Sequence, residues 1–197
     1  MNKETLSKLK KIRPTLEGNF VMSLYSNPLE GFDDYPINPQ KDLLTEDGKF
    51  YYNLGYNMVK KGIKIFDEIS IATYLNDYPL LQQQFEKKGG YKAIQELSSM
   101  LEQENTEAYY NALTKNNAII KLCESGFDVE SNMDILNDLS TSNEVFDFYD
   151  SLLNTISLNS THDISLQTLS YTKKDIENWQ EVLARCLTMS GVTPEDI

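Results

Sequence analysis

The sequence has little histidine or cysteine, and both shortages limit its chemistry. Its single histidine, His162, lies in the polar, Ser/Thr-rich stretch "STHDISLQTLS", a poor place for the base of a nucleophilic triad. Two cysteines, Cys123 and Cys186, are too few for a zinc site. Since no secretory signal precedes them, we expect free thiols in a reducing cytoplasm rather than a disulfide framework.

Glycine, proline and long apolar runs are also scarce. The chain has 9 Gly and 6 Pro among 197 residues, and no strand-turn-strand rhythm appears. This composition favours an all-α fold. No stretch approaches the roughly 20 apolar residues that span a bilayer, so no membrane segment is predicted. The N-terminus "MNKETLSKLKKIRPTL" lacks the apolar run of a signal peptide.

Nucleotide and metal motifs are missing as well. The phosphate-binding pattern G-x-x-x-x-G-K-[ST] is absent, and Gly48-Lys49 in "EDGKF" has no upstream glycine loop. Neither G-x-G-x-x-G nor G-x-S-x-G occurs, and the acidic residues do not follow the spacing of an EF-hand. We therefore expect no cofactor, no metal and no catalytic activity.

The chain does carry a strong acidic charge and enough apolar mass for a core. Lys and Arg number 18 against 30 Asp and Glu, which gives a net charge of −12, and 40% of the residues are hydrophobic. An acidic surface repels phosphate backbones and anionic lipids, so direct DNA binding is not expected. The apolar content excludes general disorder.

Helical periodicity divides the chain into five predicted segments. Phe50, Leu54 and Met58 recur at helical spacing, and similar stripes fill the first hundred residues between short loops. Two helices of similar length then form a predicted hairpin. The segments are a polar leader (1–13), a compact helical head (14–104), a helical hairpin (105–157), a linker (158–170) and an appended C-terminal helix (171–197).

The hairpin has more apolar surface than one packing partner requires. Burial against the head and contact with another subunit explain this surface equally well. Under the second interpretation, six residues are predicted interface positions, although each could instead be ordinary core: Tyr109, Leu113, Ile120, Phe146, Tyr149 and Leu153.

Residues 17–157 resemble the N-terminal domain of DnaB-type replicative DNA helicases. The similarity rests on the order of "EGNFVMSLYSNP", "DLLTEDGKFYYNLGYNMVKKG", "FDEISIATYLND", "KKGGYKAIQELSS" and "NTEAYYNALTKNNAIIKL". The family's His and Arg are absent, with Gly48 or Lys49 and Lys121 in those regions, and its ATPase domain is missing. The resemblance implies a non-catalytic collar in DNA replication that self-associates through the hairpin and docks primase or a helicase loader.

The last segment, residues 171–197, resembles a short fragment of phenylacetate–CoA ligases. The matching positions include Trp179, Arg185 and Gly191, but the "STHDISLQTLS" stretch upstream has no glycine for a phosphate loop. The chain also ends three residues into a new predicted helix, "TPEDI", as a fused or rearranged fragment would. Two alternatives to the helicase collar follow: a fragment of an adenylating enzyme, and a stand-alone helical regulator that binds a replicative helicase.

Overall fold

The computed structural model describes residues 3–102 and 105–161 of the chain. Helices and turns make up these residues, with no strand among them, which confirms the all-α prediction. One 3₁₀ turn, Glu130–Asn132, lies between the ninth and tenth helices. The α-helices are α1 Lys3–Lys11, α2 Arg13–Ser26, α3 Pro28–Asp34, α4 Pro39–Asp42, α5 Glu46–Lys60, α6 Glu68–Asn76, α7 Pro79–Lys87, α8 Gly90–Ser98, α9 Thr106–Glu124, α10 Met133–Asp138 and α11 Ser142–Thr161.

Local signals begin and end several of these helices. The side chain of Asp67 accepts a hydrogen bond from the Ser70 amide at 2.7 Å and caps α6. Pro79 occupies the first turn of α7, where its missing N–H costs nothing. Gly62 follows α5 with a φ of 83°, a conformation that glycine adopts without strain. No helix in the described part of the chain is long and apolar enough to cross a membrane.

The first hydrophobic cluster is built around α2. Phe20, Val21 and Leu24 have no exposed surface and pack with Leu54 and Met58 of α5. Helices α6, α7 and α8 complete this cluster with one or two buried side chains each. Because α2 is enclosed by several helices, its apolar residues cover more than one face instead of forming a single stripe.

The second cluster forms on the C-terminal half of α9. Ile119 and Ile120 pack there with Val129 and Leu136 from the segment that connects α9 to α11. Leu9 of α1 joins the same cluster, so the predicted polar leader contains a helix with a buried anchor. Helix α9 therefore belongs to both clusters, since its Leu113 lies in the first.

The chain divides into two compact units, residues 1–149 and residues 150–197. The first unit holds both clusters. The described part of the second unit is the C-terminal portion of α11. The five segment boundaries of the sequence analysis stay predictions, and from residue 162 onward the predicted linker and appended helix lie outside the described residues.

A fully buried ion pair lies at the start of α2. The side chains of Arg13 and Glu17 are 1% and 0% exposed, one helical turn apart. Nε and Nη2 of Arg13 each lie 2.9 Å from Oε1 of Glu17. Burial lowers the pKa of the Arg13 guanidinium, and the Glu17 carboxylate opposes that shift. Such a pair is tolerated inside a protein only when further hydrogen bonds satisfy both groups.

Three other parts of the chain supply those bonds. Arg13 donates to Oδ1 of Asn116 on α9 at 3.2 Å and to the carbonyl of Asp42 at 2.5 Å. Glu17 accepts from the amides of Leu44 and Thr45 at 2.7 and 2.9 Å, and also from the Thr45 hydroxyl. The pair thus joins α2 to α9, to the end of α4 and to the α4–α5 connection.

Replacement of Arg13 tests this pair. In Arg13→Met, the Glu17 carboxylate stays buried without its cation, so we expect the free energy of unfolding to fall by about 3–5 kcal/mol. Urea denaturation followed by circular dichroism measures the loss. The exposed pair Lys92–Glu96 is the matched control, and Lys92→Met should change stability by less than about 1 kcal/mol. An equal loss of unfolding free energy in the two variants would contradict a stabilising role of the buried pair.

A second prediction concerns Gly55, which lies against aromatic rings. A Cβ at Gly55 would come within 2.5 Å of Cζ of Phe32 and 3.0 Å of Cε2 of Tyr25. We therefore expect Gly55→Ala to destabilise the fold by roughly 1–3 kcal/mol through overpacking. A Cβ at Gly18 meets nothing within 4 Å, so the control Gly18→Ala should raise stability by up to about 1 kcal/mol. Thermal unfolding of both variants checks the opposite signs.

Candidate functional site

Helix α11 offers the first candidate surface. Val145 and Tyr149 point into the second cluster, where the Tyr149 hydroxyl donates to the carbonyl of Asp128 at 3.0 Å. The Tyr149 ring also meets Phe127 edge-on, with 5.3 Å between centroids. Phe146, beside these anchors, remains 43% exposed. The N-terminal half of α11 is therefore held firmly while it presents an aromatic ring to solvent.

The six predicted interface residues have different surroundings. Leu113 is fully buried in the first cluster, and Ile120 and Tyr149 are buried in the second, the positions that an ordinary core role requires. Tyr109 is partly buried against the first cluster. Only two of the six are exposed, Phe146 in the first unit and Leu153 in the second. A role in binding another molecule stays a prediction for all six.

The second candidate site is a cavity between α2, α5 and α8. It has a volume of about 340 Å³, within the roughly 300–1,000 Å³ range of ligand pockets. Its walls are mostly apolar, because buried side chains of α2 form one side. Gly18 lies on the same side and leaves space there, since it has no side chain. The lining residues are Pro14, Gly18, Val21, Met22, Thr45, Glu46, Asp47, Gly48, Tyr51, Lys88, Ala93 and Leu97.

The buried ion pair positions one wall of this cavity. Thr45 caps α5, since its Oγ1 accepts from the Gly48 amide at 3.0 Å, and its hydroxyl is also bound to Glu17. A Cβ at Gly48 would lie 2.5 Å from Oε2 of Glu17. Glycine at this position lets the first turn of α5 approach the carboxylate. The first turn of α5 is thus fixed against α2, and the cavity has a rigid side.

Charged groups surround the mouth of the cavity. Lys88 forms an ion pair with Asp47, and its Nζ lies 5.4 Å from the centroid of the Phe50 ring. The hydroxyl of Tyr51 donates to the carbonyl of Lys88 at 3.2 Å. Burial raises the pKa of Tyr51 to about 12, and the Asp47 carboxylate adds to the shift.

The chemistry of this arrangement is that of binding. Its apolar walls can take a hydrophobic group, and its rim can pair with a charged one. Among the residues described, no group of three His, Cys, Asp or Glu side chains is placed to hold a metal ion. Cys123 is a buried free thiol, and burial raises its pKa, which disfavours the reactive thiolate.

Sequence reasoning missed both the cavity and the ion pair beneath it. Arg13 was assigned to the polar leader, and Glu17 to the helical head. The i, i+4 spacing of opposite charges was a usable signal for a pair, although it could not reveal burial. The cavity depends on the relative placement of three helices, which no local pattern encodes.

In a comparison with known protein families, residues 86–173 match the GSKIP domain. The match covers less than half of the chain and runs from α7 through α11 into residues outside the described part. No curated protein and no solved structure matches the chain. The likeness supports a helical protein-interaction module over a helicase fragment.

This match corrects four predictions. The assignment of residues 17–157 to a DnaB-type helicase domain is wrong, and so is that of residues 171–197 to a phenylacetate–CoA ligase. The predicted role in DNA replication is also wrong. The predicted partners, which were further copies of a helicase collar and primase or a helicase loader, are wrong as well. The helicase resemblance rested on short motifs of apolar and aromatic residues at helical spacing, a pattern that any packed helical protein produces. The ligase resemblance rested on scattered matching positions in one short segment, such as Trp179, Arg185 and Gly191.

The raised pKa of Tyr51 generates a pH prediction. The folded state keeps the phenolic proton up to about pH 12, whereas an exposed tyrosine loses it near 10. The stabilising contribution of neutral Tyr51 is therefore complete below pH 10 and is lost as the pH rises from 10 through 12. We expect the free energy of unfolding to fall across this window. Urea titrations of Tyr51→Phe should show a smaller fall, and an equal fall would assign the effect to other groups.

Proposed function

We propose that this chain is a non-catalytic adaptor that binds a protein kinase through the surface of α11. The observation that carries the proposal is the exposed Phe146 within the range similar to the GSKIP domain, a domain that binds kinases such as GSK3-beta. Exposed aromatic residues on a rigid helix are typical anchors of protein interfaces.

The packing of α11 supports this role for Phe146. Val145 and Tyr149, on either side, are fixed in the second cluster, so the backbone that carries Phe146 is already ordered when a partner binds. Glu144 accepts hydrogen bonds from the amides of Ser140 and Thr141 at 2.6 and 3.3 Å and holds the start of the helix. An aromatic ring on an ordered helix is a better anchor than one on a flexible loop, because less backbone entropy is lost on binding.

The location we propose is the cytoplasm. A kinase partner is an intracellular protein, and the buried free thiol of Cys123 suits a reducing compartment.

Biolayer interferometry with immobilised GSK3-beta tests the proposal. The intact chain should bind, and Phe146→Ser should weaken binding at least about tenfold, the effect expected of an interface anchor. The matched control is Leu80→Ser: Leu80 is 78% exposed on α7 and precedes the similar range. This variant should bind like the original chain.

Three results would contradict the proposal. Absence of binding at tens of micromolar would remove the kinase as the partner. Equal affinity of Phe146→Ser and the original chain would remove α11 as the site. Turnover of a substrate by the isolated chain would remove the non-catalytic role.

A further inference from the structure

A basic and apolar patch lies at the connection between α5 and α6. It consists of Lys60, Lys61, Lys64 and Ile65, and we call it the α5–α6 patch. All three lysines are exposed, and Ile65 is 67% exposed. The patch is therefore a locally positive surface with an apolar side chain, on a chain whose net charge is −12. It precedes the range similar to the GSKIP domain.

The positive charge of the patch is not neutralised within the described residues. None of its three lysines forms an ion pair with a carboxylate there. On α1, by contrast, Lys8 pairs with Glu4 at 2.8 Å and Lys10 pairs with Glu124 at 2.7 Å. Asp67, the nearest acidic residue along the chain, caps α6 instead.

Packing and hydrogen bonds hold the patch in place. The amide of Ile63 donates to the carbonyl of Met58 at 3.1 Å, just after the end of α5. Phe66, on the other side of the patch, is buried in the first cluster. Within the patch, Nζ of Lys60 lies 4.4 Å from the centroid of the Tyr56 ring. The lysines and Ile65 are thus presented by an ordered backbone, which reduces the entropy lost when a partner binds.

We propose that the α5–α6 patch binds an acidic segment of a partner protein. Carboxylates of that segment pair with the three lysines, and an apolar side chain of the segment covers Ile65. Charge complementarity argues for this occupant, because the lysines lack an ion-pair partner of their own among the described residues. At physiological salt, exposed charges interact over only about 8 Å. The local positive charge therefore matters more to a short bound segment than the net charge of the chain.

An anionic membrane suits this patch less well than a peptide segment. A bilayer is a wide plane, and the net charge of −12 would repel its anionic headgroups. A short segment contacts the patch alone. The backbone N–H and C=O groups of Lys64 and Ile65 also have no hydrogen-bond partner in the described part of the chain. The backbone of a bound peptide can pair with these groups.

Neutralisation of the patch lysines tests the proposal. The patch variant carries Lys60→Gln, Lys61→Gln and Lys64→Gln. The control variant lowers the net charge by the same three units, through Lys→Gln at exposed lysines that form no ion pair with a described residue: Lys3, Lys11 and Lys87. The two variants differ in where the charge is lost and not in how much.

Fluorescence anisotropy with a short labelled peptide of alternating Glu and Val measures the binding. The peptide should bind the original chain and the control variant with affinities within about twofold, and the patch variant about tenfold more weakly. Its affinity should fall as the salt concentration rises, because exposed charges are screened. A peptide of alternating Lys and Val should not bind. Circular dichroism confirms that each variant is folded.

A further variant tests the apolar part of the patch. Ile65→Ser changes an already exposed side chain, and it should weaken binding of the Glu/Val peptide several-fold.

Four outcomes would overturn the proposal. The first three are no binding of the Glu/Val peptide to the original chain, equal affinity of the patch and control variants, and equal binding of the Lys/Val peptide. The fourth is capture of the original chain, but not of the patch variant, by phosphatidylserine vesicles, which would assign the patch to membranes. Because Phe146 is not part of the patch, the kinase experiment is independent of this one.

Discussion

The structure depends on one buried interaction, the ion pair of Arg13 and Glu17. Its groups have no contact with water, so their desolvation must be compensated by the backbone carbonyl of Asp42, the amides of Leu44 and Thr45, and the side chain of Asn116. Apolar packing is non-directional and tolerates many arrangements. The hydrogen bonds of this pair tolerate few, so they select one placement of α2 against α9 and the α4–α5 connection.

The same pair shapes the cavity beside it. Thr45 bonds to Glu17 and caps α5, and Gly48 brings the first turn of α5 onto the carboxylate. One wall of the cavity is therefore a by-product of the interaction that stabilises the fold. A rigid wall reduces the entropy lost on binding, which favours recognition of a small apolar group.

The part of the fold that can be read from the sequence is the part with local signals. Asp67, Pro79 and Gly62 mark helix ends through hydrogen bonding, ring geometry and positive φ, and each effect acts within a few residues. Leu54 and Met58 are buried because the period of their helix places them on one face. The candidate sites could not be predicted from such local signals. Whether Leu113 meets the core and Phe146 meets solvent depends on long-range packing that the apolar pattern of a helix does not specify.

Helix α9 has a consequence for how the first unit loses its structure. It contributes Leu113 to one hydrophobic cluster and Ile119 to the other, and between them Asn116 and Asn117 donate to the carbonyls of Leu9 and Asp42 at 3.5 and 3.1 Å. If either cluster unfolds, α9 loses the packing contacts that its side chains make in that cluster. The amide hydrogens at the middle of α9 should thus exchange with solvent only when both clusters open together, which makes the two cores a single cooperative folding unit.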